Sequence, residues 1–215
     1  MPPPSFPARP VNGGTLSVAL AKTGHWAWQP KYNGWRAWVH TPTGSMFNRK
    51  NEPLSIAREF QPALAILKRL SHLPYFEWLD CEALERRHNI GRGTLIILDA
   101  PLLARDLEQR CFTLEFDCLT NRIPVHQDLN KRLPDNSVWL VPSYPGKNRR
   151  EFEDENSHLK LWDILQQCNQ ALGCTSPQNH FFEGLVAKRV DSLYPMQLRS
   201  PDVEFPFWMK HRFPF

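Results

Sequence analysis

Hydrophobic and polar positions alternate over short runs near both ends of the chain, and between them apolar residues recur at helical spacing. Residues 13–40, rich in Trp and Val, predict two strands flanking a turn at Lys31. Residues 54–73 put Ile56, Phe60, Ala63, Leu64, Leu67 and Leu70 on one helical face behind Ser55 as N-cap. Pro62 inside that stretch predicts a kink or a break into two helices. Strands are predicted over 75–84 and 94–98, joined by a turn through Gly91 and Gly93. A helix over 105–119, a buried strand over 137–142 and a charged loop over 147–155 follow. Another helix covers 157–172 and closes at Gly173, before strands over 181–190 and 203–213. The elements show no regular βαβ alternation and no repeat, which favours an α+β fold over a doubly wound sheet.

Composition narrows the setting. The 215 residues suit one large domain over 13–215, preceded by a proline-rich arm over 1–12 that is expected to be stiff and extended. A hydrophobic content of 41%, with 13 Phe and 8 Trp, suffices for a sizeable core. No apolar run approaches the roughly 20 residues that span a bilayer, and the first residues lack the charged start and apolar stretch of a signal peptide. Membrane association is therefore not expected. The five cysteines are odd in number and form no C-x-x-C, so neither a disulfide framework nor a thiolate zinc site is expected, and a reducing, cytoplasmic compartment is. No H-E-x-x-H pair supports metal binding through imidazole. A net charge of +4 and a pI near 8.9 permit nucleic-acid binding without requiring it.

Four charged clusters fall on predicted strands or their adjoining turns: Lys31 with Arg36, Asp80 with Glu82, Glu183 with Lys188, and Lys210 with Arg212. Strand residues two apart share a face, so Asp80 and Glu82 point together, as do Lys210 and Arg212. Taken singly, each is an ordinary solvated charge or strand edge. Together they offer carboxylates for a divalent metal and cations for phosphates, the set that phosphoryl or nucleotidyl transfer uses.

Their order resembles the covalent nucleotidyltransferase superfamily of ATP-dependent DNA and RNA ligases and mRNA capping enzymes, and the ligases more than the capping enzymes. Lys31-Tyr32-Asn33-Gly34-Trp35-Arg36 is similar to the K-x-D-G-x-R nucleophile motif, with Gly34 allowing close backbone approach to a phosphate, and Phe47-Asn48-Arg49-Lys50 to the Ser-Arg element after it. Leu79-Asp80-Cys81-Glu82 resembles L-D-G-E, and residues 95–99 the strand beside the adenine. Glu183-Gly184-Leu185-Val186-Ala187-Lys188, with Ser192 and Tyr194 downstream, resembles E-G-L-V-x-K, and Trp208-Met209-Lys210-His211-Arg212 resembles W-x-K-x-K. Asn33 stands in place of the motif's Asp, Leu98 where many members have an aromatic ring, and Arg212 for the second lysine of the last motif.

The resemblance implies an ATP-grasp-like adenylation domain, largely antiparallel sheets flanked by helices with the nucleotide between them. Lys31 would attack the α-phosphate of ATP, giving lysyl-AMP; AMP would pass to a 5′-phosphate end, and a 3′-hydroxyl would displace it to seal the strand. A lysine attacks only as the free amine, and the cations Lys188, Lys210 and Arg212 would serve that need while neutralising the triphosphate. Arg36 and Arg49 would hold ribose and phosphates, Gln29 would read the adenine amino group, and Leu98 would lie against the base. Glu82 and Glu183 are candidates for ribose contacts or for Mg²⁺. Partners implied are DNA or RNA ends or nicks. The chain ends just past the last motif, so a separate clamp or DNA-binding protein is expected to supply the grip of the missing oligonucleotide-binding module. Two other readings stand beside this one: a non-catalytic module binding nucleic-acid ends or a partner, and a GTP-dependent, capping-like guanylyltransferase.

Overall fold

The structure, a computed structural model, describes residues 6–14, 16, 26–73, 76–84, 90–100, 133, 137–145, 157–192, 194–195 and 203–214. The helix expected over 105–119 and the loop expected over 147–155 lie outside the described residues. Two compact units emerge, each assembled from three separate segments of chain. The boundary crosses the nucleophile-like hexapeptide between Asn33 and Gly34.

The first unit contains a five-stranded sheet: β3 (Trp35–His40), β4 (Ser45–Phe47), β5 (Trp78–Leu84), β6 (Thr94–Asp99) and β7 (Val138–Leu140), in the order β4-β3-β5-β6-β7. All its pairings are antiparallel except β6 with β7. The stretch read as one helix with a proline break is a 3-10 helix over Ser55–Phe60 followed by α1, Gln61–Arg69. Pro62 is the second residue of α1, where its missing N–H takes nothing from the helical ladder. Ser55 does not cap: Leu54 holds the N-cap position and no side chain bonds there. Phe60, Ala63, Leu64 and Leu67 pack on Ala37, Val39, Leu79, Cys81, Leu95 and Ile97, which alternate along the strands as one face of a pleated sheet must.

The second unit contains β1 (Arg9–Asn12), β2 (Trp26–Tyr32), β8 (Tyr144–Pro145), β9 (Phe182–Arg189) and β10 (Glu204–Arg212), in the order β1-β10-β9-β2-β8, with α2 (Ser157–Ala171) against it. Trp26, Trp28, Leu185, Ala187 and Phe213 face Leu161 and Leu165 of α2. Gly173, in the left-handed region at φ +68°, ends the helix as expected. Residues 9–12 differ from expectation: instead of belonging to an extended arm they pair in parallel with β10, whose outer edge would otherwise lack backbone partners. Among the described residues, no helix is long and apolar enough to cross a membrane.

Candidate functional site

In the second unit, strand pairing collects most of the sequence-predicted cations on one face. Lys31 lies opposite Gly184, Arg212 opposite Gly184 on the other side, Lys210 opposite Val186, and Trp208 opposite Lys188. Because Leu185 and Ala187 face α2, these positions, one step out of phase with them, present the other face of the sheet. Glu183 has the wrong parity to join them in a regular strand. The β2–β9 register shifts between Lys31 and Tyr32, with Lys31 opposite Gly184 and Tyr32 opposite Phe182. The extra residue is Glu183, and this bulge turns its carboxylate to the lysine face.

There Glu183 Oε2 accepts from Lys31 Nζ and, at 3.4 Å, from Arg212 Nε. Burial opposes ionisation of Glu183, but the Lys31 ammonium, followed by Arg212, outweighs it and holds the carboxyl below its ordinary range. Burial and, after it, the Arg212 guanidinium push the Lys210 ammonium below its ordinary value. Lys188 is 3% exposed, and its Nζ sits 4.3 Å from the centre of the Trp208 ring, a cation–π contact that offsets part of its desolvation. Gln29 is also buried, and its amide nitrogen donates to Ser143 Oγ at 2.7 Å.

The first unit carries Arg36, Arg49, Glu82 and Leu98. Arg36 and Asp80 form a two-pronged pair, Nε to Oδ1 at 2.9 Å and Nη2 to Oδ2 at 2.6 Å. Tyr194 donates its hydroxyl to the same Oδ2 at 2.7 Å. Burial disfavours the charged guanidinium, yet the Asp80 carboxylate more than compensates and raises the Arg36 pKa. Burial, then Asp80, raises the Tyr194 phenol, so it stays protonated and donates. Glu82 accepts from the Gly34 backbone N–H at 3.0 Å. A Cβ on Gly34 would meet the Ala83 carbonyl oxygen at 2.7 Å, so this glycine serves the approach of β3 to β5. Arg49 and Arg36 lie 5.7 and 5.8 Å from the centre of the Phe6 ring. A cleft of about 470 Å³ is lined by Gly34, Trp35, Arg36 and the turn from Asn48 to Lys50, with Glu52. Leu98 is half-buried on β6.

Among the described residues, no group of three or more His, Cys, Asp or Glu gathers as a preformed metal cage. Magnesium does not require one; it is commonly held by one or two carboxylates together with substrate phosphates. Glu82 and Glu183 supply hard oxygens of the fitting kind, one in each unit.

No protein-family model matches the chain, and no curated protein sequence matches it. Solved structures do. The ligase domain of LigD from M. tuberculosis aligns over 96% of this chain and 59% of its own, at 19% identity and a TM-score of 0.56. A structure described as DNA binding with a minimal scaffold in Lig E DNA ligases aligns over 96% and 69%, at 11% identity and 0.51. A mycobacterial DNA ligase D complexed with ATP and MES aligns over 96% and 60%, at 18% identity and 0.50. The chain has the fold of a DNA-ligase nucleotidyltransferase domain. It spans about three fifths of the length of the ligase D structures it matches.

Within this ligase fold, several residues do more than the sequence suggested. Spacing pairs Asp80 with Glu82, but at 1% exposure Asp80 is an internal anchor for Arg36 and Tyr194. Asn33 donates from its amide to the His180 carbonyl at 3.0 Å, a bond an aspartate could not make when ionised. Phe6, beside Arg36 and Arg49, carried no chemical signal in the sequence. A Phe among prolines reads as tail until its neighbours are known.

Proposed function

We propose that this chain is the nucleotidyl-transfer core of an ATP-dependent polynucleotide ligase, with its catalytic domain over 13–215 extended by strand β1. The Lys31 amine attacks the α-phosphorus of ATP. The bond from that phosphorus to the bridging oxygen breaks, pyrophosphate leaves, and a lysyl-AMP phosphoramidate remains. The adenylyl group then passes to a 5′-phosphate end, and a 3′-hydroxyl displaces AMP to seal the strand. What carries the reading is Lys31 itself: it shares a sheet face with Lys188, Lys210 and Arg212, and a bulge has turned Glu183 onto its amine.

The residue roles follow from charge and reach. Glu183 faces the Lys31 nitrogen and is the group positioned to hold its proton before attack. Lys210 and Arg212 neutralise the phosphates, and Lys188 adds charge behind them. Gln29 reads the adenine amino group through its carbonyl, and Leu98 lies against the base. Arg49 binds phosphate or ribose, as does Arg36, whose guanidinium Asp80 fixes in place. Glu82 or Glu183 would hold Mg²⁺, which would supply charge neutralisation for the leaving pyrophosphate. The ligase structures of the same fold make DNA nicks the first substrate to offer and ATP the first nucleotide, with RNA ends and GTP as comparisons.

Incubation with α-labelled ATP and Mg²⁺ should leave on the protein a label that survives mild alkali and is released by acid, as a phosphoramidate is, and Lys31→Ala should remove it. Label on the alanine variant would reject Lys31 as nucleophile. No label from either ATP or GTP would replace catalysis with a binding role.

A further inference from the structure

The cleft of the first unit has a composition that a phosphate site does not require. Trp35, the first residue of β3, is 45% exposed, an unusual state for the largest apolar side chain. It lines the cleft beside Arg36, Arg49 and Lys50. The rest of the lining is a hydrogen-bonded turn. Asn48 Oδ1 accepts from the backbone N–H groups of Lys50 at 2.8 Å and Glu52 at 3.1 Å. Its Nδ2 donates to Glu52 Oε2 at 2.9 Å, which ties down the one acidic side chain of the lining. Asn51, at φ +61°, completes the reversal. Lys50 is left exposed on that turn.

An accessible indole beside cations and a side-chain amide is how proteins hold unpaired nucleotides: the ring stacks on a base while the cations meet the backbone. About 470 Å³ lies in the lower part of the range for small-ligand pockets, which suits one nucleotide and not a duplex. We propose that this cleft holds the unpaired terminal nucleotide of a single strand, its base stacked on Trp35 and its phosphate met by Lys50. The inference deepens the ligase reading by naming the form of the strand end. It rests on that reading only for why an end should be held.

The test is binding without ATP, by fluorescence anisotropy at low salt, of a short 5′-phosphorylated DNA strand labelled at its 3′ end. The same strand with an abasic first position serves as its partner probe. Trp35→Ala should weaken the intact strand roughly tenfold, as loss of one base–aromatic stack does. The abasic strand should bind the wild type about as weakly, and Trp35→Ala should weaken it no further. Trp35→Phe should restore most of the loss, and Lys50→Gln should weaken both strands alike. Unchanged binding of the intact strand by Trp35→Ala overturns the proposal, as does an equal loss on the abasic strand. Trp35→Phe, which keeps an aromatic ring in place, decides the matter if the alanine variant fails to fold: an intact strand bound no better than the abasic one by a folded phenylalanine variant also overturns it. Because no ATP is present, failure of Lys31 labelling and failure of this pattern are separate results.

Discussion

At the scale of single residues, one departure from the ligase pattern has a local partner in the fold. Asn33 is 9% exposed, and its amide donates to the His180 carbonyl. An ionised aspartate in the same place would set a carboxylate against a carbonyl oxygen with no proton between them. Asn33→Asp should therefore cost about 2 kcal/mol in urea unfolding at neutral pH. The loss should shrink at acid pH, where the protonated acid can donate again. A loss independent of pH would mean that the His180 contact is not what Asn33 provides. The same reasoning covers Asp80. A buried carboxylate holding a guanidinium by two bonds and a phenol by a third is an internal strut for β3 and β5. Its proximity in sequence to Glu82 hid this, since spacing says which face a residue shares and nothing of how deep it lies.

At the scale of elements, the bulge in β9 decides which side chains meet. Gly184 has φ +142°, and a Cβ there would stand 2.0 Å from the His211 carbonyl oxygen, so β9 and β10 can pair across it only if the residue is glycine. Gly184→Ala should cost about 3 kcal/mol of stability and lower lysyl-AMP formation with it, because Glu183 would lose its orientation. A stable variant with full labelling would show that the bulge is incidental. Strands β2, β3, β5, β6, β7, β9 and β10 were legible from alternation and apolar runs, the short β1, β4 and β8 were not, and Pro62 marked the helix break within two residues. The Ser55 hydroxyl suits a cap, but the chain enters the turn one residue earlier, at Leu54. The bulge was illegible for a deeper reason. It is a property of the register between β2 and β9, strands some 150 residues apart in the chain, and local pattern carries no information on it.

At the scale of the whole molecule, the chain passes between its two units five times, so neither is a continuous segment that composition could mark off. Read along the sequence, the charged clusters looked like one series; in the fold, Lys31, Glu183, Lys210 and Arg212 belong to one unit and Arg36, Asp80 and Glu82 to the other. Two shifted groups in the second unit tie its stability to pH in the same direction. His211 is 1% exposed, with Nδ1 3.1 Å from the Gly14 carbonyl oxygen and no partner for Nε2 among the described residues. Burial lowers its pKa below the ordinary 6.5, against a weaker opposing pull from the Gly14 bond. The unfolded chain therefore binds a proton at a higher pH than the native state, and stability falls as pH drops below about 6.5. Glu183, held below its ordinary range by Lys31 and Arg212 against burial, adds a second loss at lower pH. It stabilises the fold above the unfolded carboxyl's pKa, and that contribution disappears as pH falls through the native one. The melting temperature should accordingly decline in two stages on acidification. His211→Asn should flatten the first and Glu183→Gln the second. If both variants follow the wild-type curve, neither group governs the acid limb, and the packing of His211 against Gly13 is steric support alone.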